Sequence, residues 1–522
     1  MIKKFLASLC LFVFLLGAGF CVTSNVGGYF ENWAQYRTGA YNGEFACTTD
    51  KLNPYVQGLD HLYYAFGFFR FGYDEASDPP YVDDKQYYKD HGESDWAIYP
   101  SEWNDTKSWN KADGNWAKIQ SLKTSFPDLK IILSLGGWGF CSDDQWYSST
   151  TKSFFPQLAK IATDAKTIPA AQTKLDTFLD SAFRICSAYD PDNDKYGFDG
   201  IDIDWEFPGS LQHGGTTNDY QGFFDLLDAL KTKLVGKQIS IAIPAVAPTD
   251  IVSGSYDAGG GATTVNSAET YLKWIADCSV HLDRLNIMCY DYYGAGYSST
   301  TADNAPLHDY QGLTSLETTI DNYVAAFTTQ GATVSKLVVG LASYGHTFAN
   351  VNFPSTWDAN EPWGPGCTYS GAGAAGPLTG QAGFLSYIEL VKNTPPPPSG
   401  SGILNIADKK AGTPNNIGFT DYFSFMKNTI LNNDEDAYYY DGSGYNTHTN
   451  CYYAYNYTDN TWVSFDVPEN SPILNGSPSS IKAKIDFIKN KGVGGVMLWS
   501  LDDDYFTDRS QSILKTMVDN RW

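Results

Sequence analysis

An α/β fold, a (β/α)8 TIM barrel with an inserted α+β subdomain between the seventh and eighth strands, is predicted by three observations. Eight short apolar runs recur along the 522 residues, helix-period stretches lie between several of them, and the spacing breaks once, before the last run.

The runs cover residues 26–31, 61–68, 130–135, 198–206, 238–244, 285–291, 337–343 and 494–500. They are continuous rather than alternating, as parallel strands buried on both faces require. Apolar residues at helical spacing mark 180–188, 220–234, 268–278, 316–328, 481–490 and 510–519. Roughly 150 residues, rich in Gly, Pro, Asn and Tyr, separate the seventh run from the eighth, far more than a loop in a compact domain. The expected organisation is therefore a barrel over 25–347 and 478–522 with a subdomain over 348–477. Inside the subdomain, the PPPPSGSG stretch at 395–402 can hold neither a helix nor a central strand. Gly371, Gly373 and Gly376 make a GxGxxG pattern, but no strand run precedes it and no acid is spaced for a ribose. It reads as a turn.

Composition bounds the function. Hydrophobic residues make up 43% and charged residues 18%, enough for a large core and too apolar for global disorder. A formal charge of −24 repels a phosphate backbone and an anionic lipid surface, so neither nucleic acid nor membrane is expected as a partner. Aromatic residues at 15% suit a neutral, polar, ring-shaped ligand such as a sugar.

Residues 1–21 read as a signal peptide: Lys3 and Lys4, an apolar run over 5–16, then Gly17, Ala18 and Gly19. No later run reaches the ~20 apolar residues of a membrane span. A secreted protein, or one of a lysosomal or vesicular lumen, is expected, and a monomer is favoured. Seven cysteines follow this segment, an odd number with no CxxC or Cys/His ligand spacing, so neither a zinc site nor another metal or cofactor is expected. Sequons at Asn104, Asn456 and Asn475 permit N-glycosylation.

The most informative stretch is 196–209, YGFDGIDIDWEFPG. On a strand of period two, Asp202, Asp204 and Glu206 share one face while Ile201, Ile203 and Trp205 share the other. On a barrel strand these acids climb toward the C-terminal mouth, where barrel enzymes do their chemistry, with Glu206 uppermost. Like charges in a poorly solvated interior force at least one group to keep its proton, and a protonated Glu206 is a general acid. A solvated edge strand is the first rival, opposed by the flanking Ile, Trp and Phe. A divalent cation is the second, opposed by the linear placement of the acids. Asp199 has the other parity and reads as a structural hydrogen-bonding residue.

The pattern Asp199-x-x-Asp202-x-Asp204-x-Glu206 resembles the signature of the family 18 glycoside hydrolases, the chitinases and their relatives. Other segments agree in the same order: Gly28-Tyr29-Phe30, Tyr64-Ala65-Phe66, Ser134-Leu135-Gly136-Gly137-Trp138, Met288-Cys289-Tyr290-Asp291, Tyr344-Gly345 and Met497-Leu498-Trp499-Ser500. The resemblance implies hydrolysis of chitin or chitooligosaccharides at β-1,4 linkages, with retention, through an oxazolinium ion formed by the substrate's own acetamido group. It implies Glu206 as acid, Asp204 on the acetamido N–H, Asp202 as proton partner and Tyr290 on the acetamido oxygen. Asp291 would contact the sugar, Trp499 would floor the pocket, and Tyr29, Phe66, Met288 and Met497 would shape it, with Trp138 along the cleft. The Ser134 and Gly136-Gly137 group reads as structural. Gly383-Phe384-Leu385-Ser386-Tyr387 and Trp462-Val463-Ser464-Phe465-Asp466 resemble the α+β insertion of relatives with deep clefts. Cys367 and Cys451, both inside it, are candidates for a disulfide. Two departures stand out: His346 where many relatives carry Arg after Tyr-Gly, and Tyr297 after a Gly294-Ala295-Gly296 stretch where a Trp is common. The alternatives are a non-catalytic chitin-binding lectin on the same fold, or a relative that acts on N-glycan or peptidoglycan.

Overall fold

The computed structural model describes residues 24–39, 43–69, 96–107, 110–142, 154–352, 364–393, 442–456, 461–474 and 477–522. The segment read as a signal peptide, the 395–402 stretch and Asn475 lie outside these residues.

The eight apolar runs form β1 (Asn25–Glu31), β2 (His61–Phe69), β3 (Lys130–Gly136), β4 (Gly200–Asp204), β5 (Gln238–Pro244), β6 (Arg284–Met288), β7 (Leu337–Ala342) and β8 (Gly495–Trp499). Each pairs in parallel with the next, and β8 pairs back onto β1, which closes the barrel. Both faces of each strand are buried. Ile131, Leu133, Ile201, Ile203, Ile239, Ile241, Leu285 and Ile287 belong to the large outer core shared with the helices. Tyr29, Tyr63, Ile132, Val338 and Met497 pack in a separate inner cluster. This double burial is why the runs are continuous.

The outer layer includes α1 (Pro169–Cys186), α2 (Asp219–Lys233), α3 (Ala268–Cys278), α4 (Leu316–Gln330), α5 (Ser480–Ile488) and α6 (Ile513–Asp519). The helix expected over 180–188 begins at Pro169, because proline is pre-organised for a first helical position and Ala171, Leu175, Phe178, Leu179 and Ala182 continue the buried stripe. β4 is shorter than the run over 198–206. Phe198 and Asp199 precede it, and Trp205 and Glu206 stand beyond its end. Asp199 is structural: its Oδ2 accepts from the Ile131 N–H at 2.9 Å and pairs with Lys123 Nζ at 2.6 Å.

Between β7 and α5 the chain builds an antiparallel sheet from Tyr344–Ala349, Gly371–Ala372, Phe384–Ser386, Gly442–Asn446, Cys451–Asn456 and Thr461–Phe465. The first of these strands starts one residue after Ser343, so the sheet stands directly above the barrel's C-terminal end. Lys484 of α5 ties it down, with its ammonium fully buried against Asp466. Cys367 and Cys451 are not disulfide-bonded. Both are buried free thiols, and Cys451 Sγ donates to the Ala305 carbonyl at 3.3 Å. Among the described residues no helix is long and apolar enough to cross a membrane.

Candidate active site

β4 turns Asp202 and Asp204 into the barrel. Asp202 is completely buried, and three hydroxyls satisfy it: Tyr29 Oη at 2.9 Å and Ser134 Oγ at 2.8 Å on Oδ2, Ser240 Oγ at 2.5 Å on Oδ1. Burial raises its pKa, and the three donors pull it back. Asp204 has no such escort: its buried Oδ1 has no hydrogen-bond partner. Burial, then the charges of Glu206 and Asp202, push its carboxyl well above the usual carboxylate range. Glu206, two residues on, is pushed up to about 8 by burial and then by Asp291, against the pull of the Trp138 backbone N–H. A carboxyl in that range keeps its proton at neutral pH and can deliver it to a ligand. The acids titrate as an interacting set.

The turn that carries Glu206 is held from below. Its N–H donates to Cys141 Sγ at 3.3 Å, and that thiol donates to the Asp204 carbonyl at 3.7 Å. The β3 end crosses close to this point. Gly136 has φ +114°, and a Cβ there would lie 2.3 Å from the Asp204 carbonyl oxygen. At Gly137, φ +89°, a Cβ would lie 2.6 Å from the Phe66 ring. Only glycine fits both the backbone and the space. Peptide bonds at Ala65-Phe66, Glu206-Phe207 and Trp499-Ser500 are cis, the first inside β2 at its register shift and the other two just past β4 and at the end of β8.

Tyr290 follows β6 on the inward parity of Asn286 and Met288. It is 5% exposed, and its hydroxyl has no hydrogen-bond partner. Burial, then Asp204, Asp291 and Glu206, raise its pKa well above that of a free phenol, so it stays a neutral donor. Trp499 ends β8, with its ring 5.2 Å from Tyr29 and stacked 5.9 Å from Phe66. Trp33 also stacks on Phe66, at 6.0 Å. Met288 and Met497 join this inner cluster. Trp138 is 51% exposed at the mouth, its edge against His213 at 4.6 Å. The flat aromatic surfaces suit the apolar face of a ring-shaped ligand.

Asp291 stands one residue beyond Tyr290, with φ +56° and a half-exposed carboxylate. Its Oδ1 accepts from Tyr344 Oη at 2.6 Å and meets His346 Nε2 at 2.6 Å. Tyr297 approaches His346 Nε2 at 3.3 Å.

All eleven candidate residues thus lie at the C-terminal end of the barrel or in its interior below. Sequence reasoning passed over Ser240, Asn286, Cys141 and Tyr344. Ser240 and Asn286 are single polar residues inside apolar strand runs, which is a signal. Asn286 Nδ2 donates to Tyr29 Oη at 2.9 Å, completing a chain to Asp202. Tyr344 lies in a segment that carries the family resemblance, but its contact with Asp291, like that of Cys141 with Glu206, joins elements distant in sequence and has no local sign.

Comparison with known proteins agrees with this fold. Mouse chitotriosidase-1 is 28% identical over 397 residues, 74% of this chain and 61% of the relative. Chitinase C of Streptomyces lividans is 25% identical over 486 residues, 91% of this chain and 57% of the relative. The chain therefore spans about three fifths of the length of each. The group IV chitinase of Ostrinia furnacalis, solved in complex with allosamidin, shares the fold with a TM-score of 0.59 at 22% identity, covering 95% of this chain and 97% of that one. Catalytic domain 2 of the same insect's group II chitinase gives a TM-score of 0.60 at 21% identity, with 95% and 96% covered. The family model for glycosyl hydrolases family 18 matches residues 25–504, a span that takes in every strand of the barrel and the inserted sheet, and the chain belongs to that family.

Proposed function

We propose that this protein is a secreted chitinase that hydrolyses β-1,4 linkages between N-acetylglucosamine units of chitin or chitooligosaccharides, with retention and by substrate assistance. The observation that carries the reading is a pair of buried, unpartnered polar atoms beside a protonated acid: Asp204 Oδ1, an acceptor, and Tyr290 Oη, a donor. Leaving such groups unsatisfied is costly. An acetamido group offers the complement, an N–H for Asp204 and a carbonyl oxygen for Tyr290.

In this mechanism Glu206 gives its proton to the glycosidic oxygen as the bond to the anomeric carbon breaks. The acetamido oxygen, held by Tyr290, attacks that carbon and forms a cyclic oxazolinium ion. Asp204 takes the hydrogen bond of the N–H and stabilises the positive charge. Deprotonated Glu206 then draws a proton from water as the water opens the ring, which regenerates the acid. Asp202, held by three hydroxyls, keeps a charge or a proton below Asp204 as the cycle requires. Trp499, with Tyr29 and Phe66 around it, supports the apolar face of the sugar, Met288 and Met497 fill the pocket beneath, Asp291 holds a hydroxyl, and Trp138 lines the aglycone side. Two insect relatives, one solved with a chitooligosaccharide and one with allosamidin, support the choice of ligand class.

Release of 4-methylumbelliferone from chitobioside and chitotrioside substrates tests the reading. Glu206→Gln should cut turnover by about a thousandfold while sugar binding survives. Wild-type turnover should also decline as pH rises through about 8, where Glu206 loses its proton. A wild type that binds these glycans without cleaving them would make the protein a lectin, and one that does neither would redirect the search to N-glycans or peptidoglycan.

A further inference from the structure

The two places where the sequence departs from the pattern it resembles, Tyr297 and His346, meet in the structure. They meet on Asp291. His346 Nε2 lies 2.6 Å from Asp291 Oδ1 and 3.3 Å from Tyr297 Oη, while His346 Nδ1 lies 3.1 Å from the Gly383 carbonyl oxygen. Tyr297 Oη has one hydrogen, which can go to the Asp291 backbone carbonyl at 3.4 Å or to His346 Nε2 at 3.3 Å. The nearest neighbour of each ring nitrogen, the Asp291 carboxylate on one side and the Gly383 carbonyl on the other, is an acceptor. A neutral imidazole has one N–H and one lone pair, and either tautomer aims that lone pair at an oxygen lone pair. Only a ring with two protons satisfies both sides.

We propose that His346 is a positioning residue for Asp291, that it holds this carboxylate toward the substrate fully only while both ring nitrogens are protonated, and that substrate affinity therefore falls when the ring loses a proton. The inference rests on the glycan-hydrolase reading given above.

The surroundings are accounted for on each side. The loop after β6 contributes the Asp291 carboxylate and the Tyr297 phenol. The strand Tyr344–Ala349, which carries His346, contributes the Tyr344 phenol, whose ring centre is 5.7 Å from the imidazole. The strand Phe384–Ser386 pairs at Phe384, with the Gly383 carbonyl next to it, and the strand Thr461–Phe465 presents the neutral Ser464 at the His346 register. Behind Asp291 stand Tyr290 and Glu206, whose ionisation Asp291 opposes. Both phenols are neutral: burial and the Asp291 charge hold Tyr344 well above the ordinary phenol range, and Tyr297, whose ring is exposed, is shifted the same way by desolvation of its hydroxyl and by Asp291. Among the described residues, the one carboxylate in hydrogen-bonding contact with the ring is that of Asp291. Both contacts on this carboxylate, from Tyr344 and His346, fall on Oδ1, and among the described residues Oδ2 has no hydrogen-bond partner, which leaves it to a sugar hydroxyl. An arginine at this place would be charged at every pH. A histidine carries the same charge only while both of its ring nitrogens hold protons.

The test compares wild type, His346→Gln and His346→Arg with 4-methylumbelliferyl chitotrioside at pH 5.5 and 7.5, together with nitrogen NMR of the His346 ring in the wild-type protein. At pH 5.5, His346→Gln should raise KM about tenfold, the size of one lost charge-assisted contact, with kcat within about threefold of wild type. At pH 7.5 the KM gap should shrink to within about twofold, and His346→Arg should show a KM that does not change between the two pH values. The ring should carry two protons at pH 5.5. A KM ratio that is the same at both pH values, or a ring with one proton at pH 5.5, overturns the proposal. If the wild type neither binds nor cleaves the trisaccharide while the ring is doubly protonated, the glycan reading has failed, and the positioning role falls with it.

Discussion

Tyr290 spends its hydroxyl on nothing in the free protein, and this separates its contribution to stability from its contribution to chemistry. Removing a buried, unsatisfied polar group relieves a desolvation cost. Tyr290→Phe should therefore leave the melting temperature unchanged or raise it, while turnover of the chitotrioside falls about a hundredfold, the loss expected when one donor to a developing charge is deleted. A variant that melts lower and turns over normally would show that the hydroxyl serves packing. Tyr29 is the contrast, since its hydroxyl donates to Asp202 and accepts from Asn286, so its removal strands both partners. At this scale the acids were legible because strand parity is written into the sequence: Asp202, Asp204 and Glu206 are two apart, and Asn286, Met288 and Tyr290 repeat the rule on β6. The hydroxyl cage around Asp202 was not, because Ser134 and Ser240 reach it from neighbouring strands, and the sequence does not give the register that aligns Ser134 with Asp202 and Asp202 with Ser240.

The element most dependent on a single contact is the junction of the inserted sheet with α5. Lys484 looks like an ordinary lysine on an amphipathic helix, yet its side chain is 0% exposed and its ammonium meets Asp466, with Cys451 Sγ at 3.9 Å. Asp303, which raises the Lys484 pKa from nearby, also accepts from Asn446 and Thr449, so this buried polar group joins barrel loop, sheet and helix. Truncating one partner of a buried pair leaves the other uncompensated, at a cost of about 3–5 kcal/mol. Lys484→Met should lower stability by that amount in urea unfolding, and the double variant Lys484→Met with Asp466→Leu should recover much of it. If the double variant is as unstable as the single one, the lysine is held by packing instead. The barrel strands were easier to read than this junction because burial on two faces leaves continuous apolar runs, whereas the inserted strands carry Gly, Ser, Tyr and Asn, and the strand Tyr344–Ala349 takes all its antiparallel partners from positions distant in sequence. Helix ends were misjudged for a related reason: the α1 start depends on Pro169 in a polar stretch whose apolar stripe is sparse.

Among the described residues, buried carboxyls outnumber the buried cations that pair with them. Arg37 faces Glu31, Asp502 and Asp503. Burial pushes Asp503 up to about 7, and it pushes Asp105, which is hydrogen-bonded to Tyr64 and Asn32, up to about 7 as well. Glu206 reaches about 8. These groups hold protons in the folded chain that the unfolded chain has already released above pH ~4, so the folded state binds more protons and its stability falls as pH rises. His61, completely enclosed and pushed down to about 3, acts the other way, but only below the unfolded histidine pKa of ~6.5. Above that value nothing in this set opposes the carboxyls, and the formal charge of −24 adds self-repulsion. Thermal melts should therefore drop steadily from pH 6.5 to 8, with a slope near 1.4 kcal/mol per pH unit for each proton held only by the folded state. Asp105→Asn keeps the hydrogen-bonding shape and removes one titration, so it should flatten that slope around pH 7 without raising stability at pH 5. A melting temperature that rises with pH across this window would mean that the buried acids are ionised in the folded protein and that their charges are compensated by contacts other than those described.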